Sequence, residues 1–367
     1  MVSMNFKATW KTLLLPVLGI LAFFIYIYFF NVDILTIIAS IQKVDLKIYS
    51  LAVVFVVVDT LFFSLSWLFL LDILSVKLSV VKSFLYVFYG MFIDIIIPAE
   101  SISGEISKVY LIEREQKGTS GKVIASLVVQ RIMGMGSNII GLLVGTSVLL
   151  AGTQISGLVL NLTLFLAVAS TISLVLLIFF CFREAWTLKV IDVALNLFER
   201  LSRRRWNLTR IREDVIKGAK IFHDSMKEFG HAPKTLFTSL FFNVLAWLLS
   251  LGIAYLVFLS MGFSINWSVI VITHSVISAI HGIPIGIPFE AGLPEITMTT
   301  LYMALLPEIP FETRATVCAT ATILTRILTV WLRFFIGFVA QQGLEIKAIT
   351  ATKTNSEIDK TTMEKMS

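Results

Sequence analysis

The chain has 367 residues, 57% of them hydrophobic and only 15% charged, with a formal net charge of +6. Its mean hydropathy of +0.89 implies more apolar surface than a soluble domain of this size could bury, so the class is a polytopic all-α membrane protein. The apolar runs are continuous rather than alternating, which excludes a β-barrel. Four scattered histidines and two cysteines in or beside separate apolar runs give no metal cluster, no cofactor motif and no disulfide framework.

Roughly 20 apolar residues cross a bilayer core, and the pattern predicts six full spans, at about 12–30, 49–71, 123–151, 159–182, 235–260 and 312–340. The first has Lys7 and Lys11 ahead of it, like a signal peptide. Its run from Leu13 to Phe30 is long and aromatic, and Asn31-Val-Asp33 is no cleavage site, so it is read as a retained span. Two shorter runs, about 83–97 and 267–287, are read as re-entrant broken helices. In the second, His281-Gly-Ile-Pro284-Ile-Gly286-Ile-Pro288 cannot continue a helix. Such backbone is tolerated at membrane depth only inside protein or beside water.

Between the fourth and fifth spans, residues 183–234 carry twelve Lys and Arg. Trp186, Val190, Ala194, Leu197 and Leu201 recur there at helical spacing. This reads as an amphipathic surface helix whose end, Arg200, Arg203, Arg204 and Arg205, meets an anionic leaflet. The plainer reading is a topology determinant. Residues 341–367 form a polar tail. The connections 152–158 and 261–266 carry no charge, so both termini, the 183–234 segment and the tail are assigned to the cytoplasm of a cell-membrane protein. The two re-entrant elements then open to opposite sides. That is an inverted repeat with halves at about 49–182 and 235–340, within one transmembrane domain spanning 1–340.

One pattern occurs twice. Pro98-Ala-Glu100-Ser-Ile-Ser-Gly104-Glu105 and Pro288-Phe-Glu290-Ala-Gly292-Leu-Pro294-Glu295 both place glutamates two and seven residues after a proline. An apolar helix follows each, carrying an arginine in a similar setting, Arg131 or Arg326. Charged groups are costly in hydrocarbon and mark pathways. Broken helices at matching places in two halves mark transporter sites. Glu100, Gly104, Glu105, Lys108, Arg131, Glu290, Gly292, Glu295 and Arg326 are therefore the candidate substrate-binding residues, with Pro98, Pro284, Gly286 and Pro288 as hinges. Asp59, Asp94 and His281 are candidate proton-coupling groups.

Each has a structural reading beside it. Glu100 and Glu290 could cap helix N-termini, Glu105 could pair with Lys108 three residues on, and a lone arginine could snorkel to the surface. Arginine, lysine and helix N-termini suit phosphate, and the glutamates could pair with the arginines in an empty site. Arg333 lies seven residues past Arg326, on the same helical face. Gly141-Leu-Leu-Val-Gly145 would let helices approach closely, within the chain or in a homodimer.

Pro98 through Arg114, the helix start at Ala125–Arg131, and Ile283 through Glu295 with Thr325-Arg326 resemble the lysylphosphatidylglycerol synthase membrane region, also called flippase-like. The second motif of that family usually reads Pro-Gly-Gly-Leu-Gly-x-x-Glu. Here Pro288, Gly292, Leu293 and Glu295 remain, while two of the glycines are replaced. The resemblance implies movement of a lipid, or of a lipid-linked phosphate headgroup, between leaflets. Fused members carry a soluble aminoacyl transferase domain, and this chain ends after its last span, so it is expected not to be a synthase by itself. The alternatives are a secondary transporter of a small anion or amino acid and, less favoured, a membrane-embedded lipid-modifying transferase. No nucleic-acid partner is expected.

Overall fold

The computed structural model describes residues 34–97, 102–152, 157–201, 209–281 and 292–343. All regular structure among them is helical: α1 (Ile34–Ile41), α2 (Leu46–Ile73), α3 (Val80–Ile96), α4 (Ile102–Glu115), α5 (Ser120–Gly152), α6 (Gly157–Phe182), α7 (Glu184–Leu201), α8 (Thr209–Phe229), α9 (Pro233–Ser260), α10 (Trp267–His281), α11 (Leu293–Leu305) and α12 (Phe311–Gly343). Five of these, α2, α5, α6, α9 and α12, are long and apolar enough to cross a membrane. They match the expected spans from 49–71 onward, while the expected span at 12–30 lies outside the described residues.

The helices start and stop where local chemistry requires. Asp45 accepts from the Lys47 and Ile48 amides at the head of α2. Ser79 accepts from the Lys82 amide at the head of α3. Pro233 opens α9, where a missing amide hydrogen costs nothing. At its far end Gly262, at φ 85°, reverses the chain while the Phe263 amide reaches back to the Phe258 carbonyl.

The element order repeats. Helices of 28, 17, 14 and 33 residues (α2 to α5) are answered by helices of 28, 15, 13 and 33 residues (α9 to α12). The matched 28-residue helices run antiparallel against each other. The Asp45 amide donates to the Ser260 carbonyl at 2.8 Å, and far along both helices the Ser66 and Ser239 hydroxyls meet at 3.0 Å. Phe242 stacks on Phe69 there.

The two 33-residue helices also run opposite to one another, as their bonds to α2 show. Along α2, Phe63 and Trp67 meet Gln130 and Ser126 of α5 in descending order. Tyr49 and Asp59 meet Leu324 and Arg333 of α12 in ascending order. Packing is exchanged between the halves: α5 lies on α10, and α12 lies on α3, where Gly337 touches the Phe88 carbonyl and Phe92.

One feature departs from the sequence reading, and another follows one of its two alternatives. The 183–234 segment holds two helices rather than one. Arg212 of α8 binds Asp192 of α7 at 2.9 Å, and Gly218 of α8 sits against Gly121 of α5, so the hairpin packs on the end of the bundle. The amphipathic α7 is present, with Trp186, Val190 and Leu197 exposed, while Arg203, Arg204 and Arg205 lie outside the described residues and the Arg200 side chain is not described. Second, Gly141 and Gly145 are filled from within the chain, by Ser275 and Trp247 and by Ile272 and Val271. That face is not open to a second copy.

Candidate functional site

The repeated motif resolves into two ion pairs. Arg131 Nη2 meets Glu105 Oε1 at 2.9 Å, and Arg326 Nε meets Glu295 Oε1 at 2.6 Å. In each half a carboxylate from the first turn of the third helix reaches an arginine on the fourth. Pairing is what a charge held in an apolar bundle requires, because an isolated one carries the full desolvation penalty.

The two pairs are built differently. Around Glu105, the N-terminus of α4 is satisfied by Asp94 of α3, which accepts from the Gly104 amide at 2.6 Å and the Ser103 hydroxyl at 2.7 Å. Glu105 is thereby left for Arg131, and their side chains are 28% and 38% exposed. Around Glu295 the same carboxylate does both tasks. Oε1 binds Arg326 and Oε2 accepts from the Gly292 amide at 2.6 Å, so this glutamate is at once helix cap and ion-pair partner. Both side chains of that pair are 9% exposed.

Glycine is required where α4 meets α3. A methyl group at Gly104 would run into the Asp94 carboxylate and the Gly90 carbonyl. Gly292 adopts φ 98°, a conformation few other residues accept. Both motif glycines therefore have backbone tasks.

Lys108 lies one turn beyond Gly104, on the buried stripe Gly104, Lys108, Ile112, and is 7% exposed. Its stem passes over Gly90, and its ammonium stands 5.1 Å from the centre of the Trp67 ring. The expected pairing of Glu105 with Lys108 is not made, because Glu105 turns to Arg131. The equivalent position in the second half is Met298, since Glu105-Ile-Ser-Lys108 answers to Glu295-Ile-Thr-Met298.

A third pair lies outside the repeated motif. Arg333 Nη2 meets both oxygens of Asp59, at 2.9 and 2.7 Å, and Asp59 also accepts from Thr60. Arg333 does not share a face with Arg326, because residues Ile327–Leu332 form a π-helical turn. The additional residue in such a turn rotates the rest of the helix by about 100°. This carries Arg333 away from Glu295 and onto α2, where Asp59 sits mid-helix. Along α2, Asp59 lies between the levels of the two Glu–Arg pairs. The corresponding contact from α5 is neutral: the Trp247 indole of α9 donates to Asn138, seven residues past Arg131, at 3.2 Å. An aspartate alone in its apolar run, and an arginine additional to the motif's Arg326 in another run 274 residues on, are the sequence signal for the ionic version.

Of the remaining candidates, Glu100, Glu290, Pro98, Pro284, Gly286 and Pro288 lie outside the described residues. His281 ends α10, with its side chain not described. No group of three or more His, Cys, Asp or Glu that could hold a metal occurs among the described residues.

Repeated helices carrying matched Glu–Arg pairs define a polytopic α-helical membrane protein. A family model described as the lysylphosphatidylglycerol synthase TM region matches residues 14–337, and the chain belongs to that family. It is also similar to a UPF0104 membrane protein of Pyrococcus horikoshii, 20% identical over 330 residues that cover 89% of this chain and 95% of the relative.

Proposed function

We propose that the protein moves a phospholipid or lipid-linked phosphate headgroup between membrane leaflets, acting as a transporter rather than a transferase. The observation that carries this reading is the pair of Glu–Arg contacts at matching places in two halves whose equivalent helices run antiparallel. That arrangement fits an inverted repeat, in which one half rocks against the other around a central site.

A partly exposed arginine such as Arg131 attracts phosphate. The outer face of α4 supports a lipid rather than a soluble substrate: Ile102, Ile106 and Tyr110 are exposed along it, on the same helix as Glu105. A headgroup could enter while its chains stay in the bilayer. On this reading both termini are cytoplasmic, in the cell membrane, and α7 rests on the anionic leaflet.

The test is transbilayer movement of headgroup-labelled phospholipid and polyprenyl-phosphate lipid in proteoliposomes. Wild type is compared with Glu105→Gln and Arg131→Ala, with folding checked by size-exclusion chromatography. Movement that both variants lose supports the reading. Unchanged movement in both removes the pair from the mechanism, and uptake of a soluble anion without lipid movement replaces a lipid translocase with a secondary transporter.

A further inference from the structure

Lys108 is the one charged residue of the first-half site without an oxygen partner among the described residues. It is 7% exposed, so water does not solvate it freely. The acids that face it are Glu105 and Asp94. Glu105 is turned to Arg131, and Asp94 is held by Ser103 and the Gly104 amide. What the ammonium has instead is the face of Trp67. That ring is itself fixed, fully buried, with its indole nitrogen donating to Ser126 at 3.0 Å.

A buried ammonium needs acceptors for its three donors, and a ring face supplies none with hydrogen-bond geometry. Arg131, whose Nη2 is the only guanidinium nitrogen with a partner among the described residues, lies against the same carboxylate. Two cations therefore stand by one partly exposed carboxylate with donors to spare. The second half lacks this feature, because Met298 stands in place of the lysine and is buried.

We infer that Lys108 is the residue that takes the anionic phosphate oxygen of the substrate, and that only the first half binds it. The ammonium exchanges the Trp67 ring for the phosphate oxygen, and Arg131 supplies the second contact. A ring-held ammonium is a low-cost resting state, since a charge-assisted hydrogen bond to phosphate outweighs a cation–π contact. This rests on the lipid reading for the source of the phosphate, though not for the phosphate itself.

The experiment is binding to purified protein in detergent, measured by calorimetry. The probes are dioctanoyl phosphatidylglycerol, dioctanoylglycerol as its phosphate-free counterpart, and inorganic phosphate. Lys108→Met, which copies the second half, should weaken phosphatidylglycerol binding by about ten- to a hundredfold, the range for a lost hydrogen bond to a charged group. Lys108→Arg should restore it to within a few fold, and dioctanoylglycerol should bind wild type and Lys108→Met alike. If Lys108→Met does not fold, Lys108→Gln takes its place. Phosphatidylglycerol bound equally by wild type and the folded neutral variant overturns the inference while leaving lipid transport standing. Lys108-dependent binding of inorganic phosphate, with no lipid binding, supports the role of Lys108 and sinks the lipid reading.

Discussion

At Glu105 the carboxylate gives one oxygen to Arg131 and leaves the helix N-terminus to Asp94. At Glu295 the carboxylate gives one oxygen to Arg326 and the other to the Gly292 amide. The first pair is partly open and has Lys108 beside it, while the second is closed and has Met298. A repeated motif has thus been divided between two tasks. Where another residue caps the helix, the glutamate–arginine pair stays partly exposed. Where the glutamate is also the cap, the pair holds the helix in place.

The sharpest way to break this comparison is to neutralise each glutamate in turn. Glu295→Gln leaves Arg326 buried without its charge partner, a loss of about 3–5 kcal/mol for a buried pair. Glu105→Gln acts on a pair about one-third exposed, where solvent screening limits the loss to about 1 kcal/mol or less. Thermal unfolding of the purified variants should therefore show a large fall for the first and a small one for the second. Equal falls would mean that the two sites do not differ in kind.

The Asp59–Arg333 pair sharpens the contrast with the neutral Asn138–Trp247 contact. Asp59→Asn should cost about 3 kcal/mol by stranding Arg333. Adding Arg333→Gln should recover part of that loss, leaving a coupling of at least about 1 kcal/mol in a double-mutant cycle of unfolding free energies. Strict additivity would show that the pair is not a unit.

Glycines test the same asymmetry at lower amplitude. Gly104→Ala forces a methyl group against Asp94 and Gly90 and should cost about 1–3 kcal/mol. Gly136→Ala meets nothing within 4 Å and should be neutral, or stabilise by up to about 1 kcal/mol through helix propensity. The melting temperatures of the two variants decide it, and a neutral Gly104→Ala would remove Asp94 as the tight cap of α4.

Much of this is legible in the sequence because charge in an apolar run is rare. The spans from 49 onward, the paired motif and the pairing of its glutamates with its arginines derive from that cost, while the choice of Arg131 over Lys108 by Glu105 does not. The hidden part depends on helix phase and on distant contacts. Nothing in Ile327–Leu332 announces a π turn, so regular helical spacing sets Arg333 on the face of Arg326. Asp94 reads as a buried acid until α4 folds back to bring it the Gly104 amide. Trp67 looks like any apolar residue, and only the α2–α4 packing sets it under Lys108. The second helix of the 183–234 segment is obscured by its many charges, because among its described side chains α8 buries only Ala219, His223, Ser225, Met226 and Phe229.

The smallest contrast concerns the turns that lead into the two arginine-bearing helices. Before α5, Glu113 accepts from the amides of Gly118, Thr119 and Ser120, at 2.6, 2.9 and 2.7 Å. Before α12 the polarity is reversed, with the Arg314 guanidinium donating to the Pro307 and Ile309 carbonyls. Partial burial pushes the Glu113 carboxyl up, but the three amides and the Ser120 hydroxyl outweigh it and hold it below the usual carboxylate range. A folded-state value below the unfolded one stabilises the fold fully above the unfolded carboxyl range, near about 4.3. That contribution is lost as pH falls through the depressed value. Arginine keeps its charge throughout. Glu113→Gln should therefore cost about 0.5–1 kcal/mol at neutral pH, and the difference from wild type should vanish in acid. Arg314→Gln should weaken its turn equally at both pH values. Unfolding curves of the two variants at pH 7 and in acid check this, and a Glu113→Gln deficit that persists in acid would remove the carboxylate as the source of the cap.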